Sequence, residues 1–343
     1  MFYFLLKPYV GPKQANYQHQ CIVFAEGLQN LNKKFASNID YYPDISNNYL
    51  FKQSILIPAL TEYLVTSHPE DFTNEINKSR HLKLIIFDSK DEWVRPNSIK
   101  YLSFAHRYFM TTLKTVTDRI KPLCFAASNR MIMATASTKE IPWLERSEDI
   151  FWSHRVDNHR LRNIVKDFYD KKSIPYYKFL DNFVSPDEAE AEATAAAAEA
   201  TAAAAEATAA EAVAIHLWNH TGRRHSPKYF ESLKKFRYMD AHGGYDTREG
   251  SIVQWDSWKV WEGFLSGMLV ITADLDYYNI NLPFKLRPYI HYIPIKYNNM
   301  VDSYSKFLSL SDKVKENIAI QGQKFVLENY TPKSIAKYII NEL

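Results

Sequence analysis

The sequence predicts an α/β protein built from two similar-sized units with largely parallel sheets. Three observations predict it. Short runs of branched and aromatic residues alternate with amphipathic stretches of helical period. The length, 343 residues, exceeds that of one ordinary domain. Hydrophobic residues make up 46% of the chain and charged residues 24%, enough apolar material for more than one buried core.

In order, Phe2–Leu6 reads as a strand and Tyr17–Leu31 as a helix with Cys21, Phe24, Leu28 and Leu31 on one face. His81–Ser89 is a buried strand, and Lys121–Ser128 is a second one followed by a helix. A break near Pro142 separates residues 1–142 from residues 143–343. Glu148–His154 opens the second unit as a strand. Its helix is carried by Leu161, Ile164, Val165 and Phe168. Ser226 and Pro227 read as a cap and first helical residue, leading into the strand "FRYMD" and a Gly243-Gly244 turn. Trp258, Trp261 and Leu265 give a short helix its apolar face, Gly267 ends it, and a buried strand follows. His291–Ile295 is the last strand, and two helices close the chain, packing toward the first unit.

Residues 188–214 stand apart. Glu192, Glu199 and Glu206 recur every seven residues, as do Thr194, Thr201 and Thr208, in a field of alanine. Alanine's propensity makes this a long helix of about 40 Å. It reads as an insertion without chemistry of its own.

Composition narrows the function. A net charge of +3 does not argue for a nucleic-acid partner. Two cysteines far apart, Cys21 and Cys124, imply no disulfide framework and fit a reducing, cytoplasmic compartment. The opening "MFYFLLKPYV" is too short for a signal peptide or a membrane span, and peripheral membrane contact stays open.

Parallel sheets bind ligands beyond the carboxyl ends of their strands. In the second unit this directs attention to Arg155, which follows a strand and precedes a helix, where guanidinium and free backbone N–H groups can both meet phosphate. Gly243 and Gly244 allow close backbone approach to a ligand, and His242 beside them can touch phosphate or sugar or simply hold the turn. Asp256 and Ser257 stand at a helix start, as caps or as ligand contacts. Glu262 is the residue out of place. Lys259 can pair with it at i,i+3, yet Trp258, Trp261 and Leu265 crowd its face.

These residues, with "SPKYFESLKKFRYMDAHGGY", "HYIPIKYNN" and "IAIQGQKFVLENYTPKSIAKYI", resemble the donor half of GT-B glycosyltransferases. The resemblance is greatest to the exostosin-like and capsule-associated protein O-glucosyltransferase groups. It covers about the last third of the chain and centres on Ser257, Lys259 and Glu262, a Ser-x-Lys-x-x-Glu helix followed by Gly267. The resemblance implies two Rossmann-like domains with a cleft between them. It also implies a nucleotide-sugar donor, a glutamate holding its ribose and a basic residue meeting its diphosphate, with no obligatory metal. The acceptor would be a glycan, a lipid-linked species or a protein. Lysine stands at position 259 where arginine is commoner, which removes bidentate geometry.

Arg223 and Arg224 offer a second phosphate clamp or a solvated pair. For the first unit, His19 and Asp40 are candidate bases for an acceptor hydroxyl. Asp274 and Asp276 after a strand open the alternative of a metal-dependent GT-A enzyme. The other alternative is a non-catalytic GT-B-like binding or scaffold protein.

Overall fold

The computed structural model describes residues 1–7, 18–38, 55–88, 101–154, 160–178, 227–243, 252 and 254–343. Strands β1 (Phe2–Leu5), β2 (Phe35–Ser37), β3 (Tyr63–Thr66), β4 (Lys83–Asp88), β5 (Arg107–Met110) and β6 (Ile120–Pro122) form one sheet. Its order is β2-β1-β3-β4-β5-β6, and every pairing is parallel. Strands β7 (Ser147–Trp152), β8 (Tyr176–Lys178), β9 (Phe236–Asp240), β10 (Leu269–Ala273) and β11 (Ile293–Ile295) form the second, in the order β11-β10-β9-β7-β8, again all parallel. Strands such as Leu269–Ala273, buried at every residue, are apolar on both faces because helices cover both sides.

The helices are α1 (His19–Asn30), α2 (Thr73–Lys78), α3 (Asn129–Ala136), α4 (Arg160–Lys172), α5 (Pro227–Leu233), α6 (Trp258–Leu265), α7 (Met300–Ser309), α8 (Asp312–Asn329) and α9 (Pro332–Asn341). One continuous core joins the two halves, from Phe4, Phe24 and Phe87 beside the first sheet to Met239, Trp261 and Val270 beside the second. Helix α9 returns to the first sheet: Tyr338 donates its hydroxyl to the Pro122 carbonyl at 3.0 Å, and Lys121 pairs with Glu342 at 2.8 Å.

Two local expectations change. The strand expected over Lys121–Ser128 stops at Pro122, and the rest of that segment is a buried connection between the sheets. Ala126 has φ 59°, outside the extended region, and the Phe125 amide donates to Asp256 rather than to a neighbouring strand. The chain also closes with three helices rather than two. Ser311 caps α8 by accepting from Val314 N, and Thr331 with Pro332 starts α9, so each break carries its own start signal.

Each sheet has a point where strand order reverses: between β1 and β3 in the first, and between β7 and β9 in the second. The crevice beyond the carboxyl ends at such a point is where doubly wound α/β folds bind ligands.

Candidate functional site

Helix α6 lies beside the second of these points. Gly267 ends it at φ 64°, in the left-handed region that glycine occupies without strain, and β10 follows directly. At its start, Ser257 is extended (φ −149°, ψ 158°), and its hydroxyl is buried with no hydrogen-bond partner. Asp256 ties the helix to the connection between the sheets. One oxygen accepts from Phe125 N at 2.6 Å and the other from Trp261 Nε1 at 2.8 Å. The Phe125 ring stacks on Trp258, with centroids 5.0 Å apart. Lys259, the second residue of the helix, is only 7% exposed.

Glu262 is completely buried, and its Oε2 accepts from the Tyr229 hydroxyl on α5 at 2.8 Å. A carboxylate on this crowded face is thus hydrogen-bonded within the fold, as a buried charge must be.

The carboxyl ends of β7 and β9 carry a polar network. His154 Nε2 lies 2.7 Å from Asp240 Oδ1, and Tyr169 donates to Asp240 Oδ2 at 2.6 Å. Tyr304 joins through Tyr169 at 2.6 Å. His242 is fully buried. Its Nδ1 is 2.8 Å from the Tyr297 hydroxyl and its Nε2 3.2 Å from that of Tyr304, so both ring nitrogens are engaged by phenols. Burial pushes the Asp240 carboxyl up to about 7 and the His242 imidazole down to about 3. Burial drives His154 well below its usual value, and Lys259 and then Arg162 push it further down; at Asp240 the Tyr169 and His242 hydrogen bonds and then the same two cations oppose the upward push of burial. Both buried cations therefore lie within electrostatic range of the His154–Asp240 pair. The His154 Nδ1, also buried, has no hydrogen-bond partner.

Of the residues expected at the site, His242, Gly243, Asp256, Ser257, Lys259 and Glu262 all lie at or beside the end of β9 and the start of α6. Gly243 is required for a reason other than ligand approach: a Cβ there would fall 1.7 Å from the Gln254 carbonyl oxygen. Arg155, Arg223, Arg224, Gly244, Asp40 and the tract 188–214 lie outside the described residues. His19 is buried at the junction of the halves. Its Nε2 is 3.2 Å from the Ala126 carbonyl and its ring meets Trp258 edge-on at 4.1 Å. Asp274 and Asp276 face lysines, Lys296 at 3.9 Å and Lys285 at 3.0 Å.

Arg162, His154 and Asp240 were missed as site residues. Arg162 sits on a helix whose apolar face the sequence reads as Leu161, Ile164, Val165 and Phe168. The buried residues are Leu161, Arg162, Val165 and Tyr169. The spacing of 162, 165 and 169 is equally helical, and charge and a hydroxyl hid it.

No protein-family description and no curated protein matches this chain. Solved structures do. An alpha-glucosyltransferase in complex with UDP and a 13-mer DNA containing a central A:G mismatch is 12% identical, with TM-score 0.55 over 99% of this chain and 98% of that one. A glycosyltransferase from Rickettsia africae ESF-5 is 11% identical, with TM-score 0.52 over 99% and 97%. Anabaena HepE in complex with UDP and glucose is 10% identical, with TM-score 0.52 over 99% and 98%. The chain has the two-domain GT-B fold with two all-parallel sheets. The GT-A alternative built on Asp274 and Asp276 falls with that fold. No helix among the described residues is long and apolar enough to cross a membrane.

Proposed function

We propose that the protein is a glycosyltransferase that moves a sugar, a hexose or pentose, from a nucleoside diphosphate to an acceptor hydroxyl. One observation carries the reading. Lys259 and Arg162, both at least nine-tenths buried, both bear electrostatically on His154 and Asp240 beyond β7 and β9, and Lys259 stands two residues from the unpartnered hydroxyl of Ser257 at the start of α6. Two desolvated cations, a free hydroxyl and helix N–H groups suit a diphosphate better than any neutral ligand. As the anomeric C–O bond breaks, its electron pair leaves on the diphosphate, and these groups meet the charge without an obligatory metal. Glu262 would hold the ribose, exchanging its Tyr229 contact for a sugar hydroxyl. The UDP in the solved neighbours supports a uridine nucleotide.

The reading extends to a donor domain over residues 143–343 and an acceptor domain over 1–142. It places the protein in cytoplasmic glycan or glycoconjugate synthesis, in line with its exostosin-like motif. The acceptor would be a glycan, lipid-linked species or protein; a net charge of +3 does not argue for nucleic acid, although one structural neighbour was solved with DNA. The test is a panel of nucleotide-sugars screened by thermal shift in EDTA. At least one UDP-sugar should raise the melting temperature of the protein and be turned over. No shift from any nucleotide-sugar would refute the proposal.

A further inference from the structure

The first sheet's reversal point carries its own cluster. Lys7 follows β1, and Ser67 and His68 follow β3. Thr66 fixes the turn: its hydroxyl donates to the Leu5 carbonyl at 2.9 Å and accepts from His68 N at 3.1 Å. His68 Nδ1 lies 4.0 Å from both Glu70 Oε1 and Asp71 Oδ2. Lys7 pairs with Asp71 at 3.1 Å. The first turn of α1 sits over the same edge, where Cys21 Sγ is 3.1 Å from Ser67 Oγ. Next to Cys21, Gln20 is 2% exposed and both polar atoms of its side chain lack a hydrogen-bond partner. Two residues from Cys21, His19 touches Trp258 at the start of α6. Helix α1 therefore touches the cluster through Cys21 and helix α6 through His19.

An imidazole flanked by two carboxylates is a base with its ring oriented. A buried amide with neither end satisfied is costly unless a ligand supplies the partners. His19 is a poorer base, because its Nε2 is engaged by Ala126 and its ring is packed against Phe125 and Trp258. A divalent ion is the other use of His68, Glu70 and Asp71, but Lys7 already gives Asp71 its positive partner.

We propose that His68 takes the proton of the acceptor hydroxyl, that Glu70 and Asp71 position it, and that Gln20 holds a hydroxyl of the acceptor. This rests on the glycosyl-transfer reading above. The acceptor O–H bond breaks and its proton passes to His68. The oxygen's electron pair forms the bond to the anomeric carbon while the bond to the diphosphate breaks. The leaving pair goes to the diphosphate beside Lys259 and Arg162. A single displacement of this kind inverts the anomeric centre.

The test uses UDP-α-glucose with water as acceptor. Calorimetry on the wild type comes first: failure to bind this or any other nucleotide-sugar defeats the transferase reading itself. With binding established, NMR of the first-formed glucose should show the β anomer, and the α anomer overturns the proposal whatever any variant does. His68→Gln should release UDP about 100-fold more slowly with donor Kd changed less than about twofold. Imidazole should restore part of the rate in His68→Gly. Asp71→Asn should lower kcat about tenfold at constant KM. An unchanged rate in His68→Gln overturns the proposal, as does a wild-type rate abolished by EDTA and restored by Mn²⁺, which would make the cluster a metal site.

Discussion

The two sheets reverse their strand order in the same way, yet the groups gathered at the two reversal points differ in kind. Beyond β7 and β9, Lys259 and Arg162 stand among groups that burial keeps neutral, with His154 and His242 both pushed down. Beyond β1 and β3, the carboxylates Glu70 and Asp71 surround His68, and Lys7 rests on one of them. Topology selects the place in both cases, and side-chain charge selects what that place can hold. A cationic, dehydrated point favours an anion that gains charge during reaction. A histidine held by carboxylates favours receipt of a proton. The difference teaches that a search by fold finds two crevices, and only the charge at each assigns them different partners.

The largest effect that probes this contrast concerns Asp240. Its carboxyl is raised by burial to about 7, above its unfolded value. The neutral acid therefore contributes stability that is complete below about pH 4 and lost as pH rises through about 7. At about 1.4 kcal/mol for each tenfold change in proton affinity, the loss is on the order of a few kcal/mol. Asp240→Asn cannot ionise, so the gap in melting temperature between wild type and variant should narrow between about pH 5 and pH 8. A gap that stays constant in differential scanning calorimetry would show that Asp240 is not a buried, proton-binding member of the donor-side network.

A smaller effect tests the neighbouring carboxylate. Tyr229→Phe removes the 2.8 Å hydrogen bond to Glu262 and should destabilise the protein by about 1–3 kcal/mol in urea titration. Donor affinity should rise, because in the proposal the ribose replaces that hydroxyl and only the donor-free protein loses the bond. Equal loss of stability and of affinity would mean that the phenol itself is part of the nucleotide site.

The fold was legible because period and composition agreed. The apolar run Leu269–Ala273 is a strand covered on both faces, and the alternation of such runs with helical segments agrees with the parallel pairing. The segment Leu123–Ser128 was misread because an apolar run looks the same in a buried strand and in a buried connection. Only its partner, Asp256 across the domain junction, distinguishes them. The donor side was half legible. Ser257, Lys259 and Glu262 share one helix, so their spacing could be read along the chain. Arg162, His154 and Asp240 come from three elements, and only the order of β7 and β9 in the sheet brings them together. The cluster beyond β1 and β3 was not legible for the same reason: Lys7 and His68 are far apart in sequence and reach one sheet edge only because β1 pairs with β3.

The central claim is that the point beyond β7 and β9 recognises a diphosphate. Isothermal titration of UDP, UMP and uridine into wild type and Lys259→Ala, in EDTA, measures this directly. UDP should bind the wild type at least about tenfold more tightly than uridine, with UMP between them. Lys259→Ala should lose about 1.5–3 kcal/mol of UDP affinity and leave uridine unchanged. Equal affinity for UDP and uridine in the wild type, or a Lys259→Ala loss shared equally by both, would contradict the account.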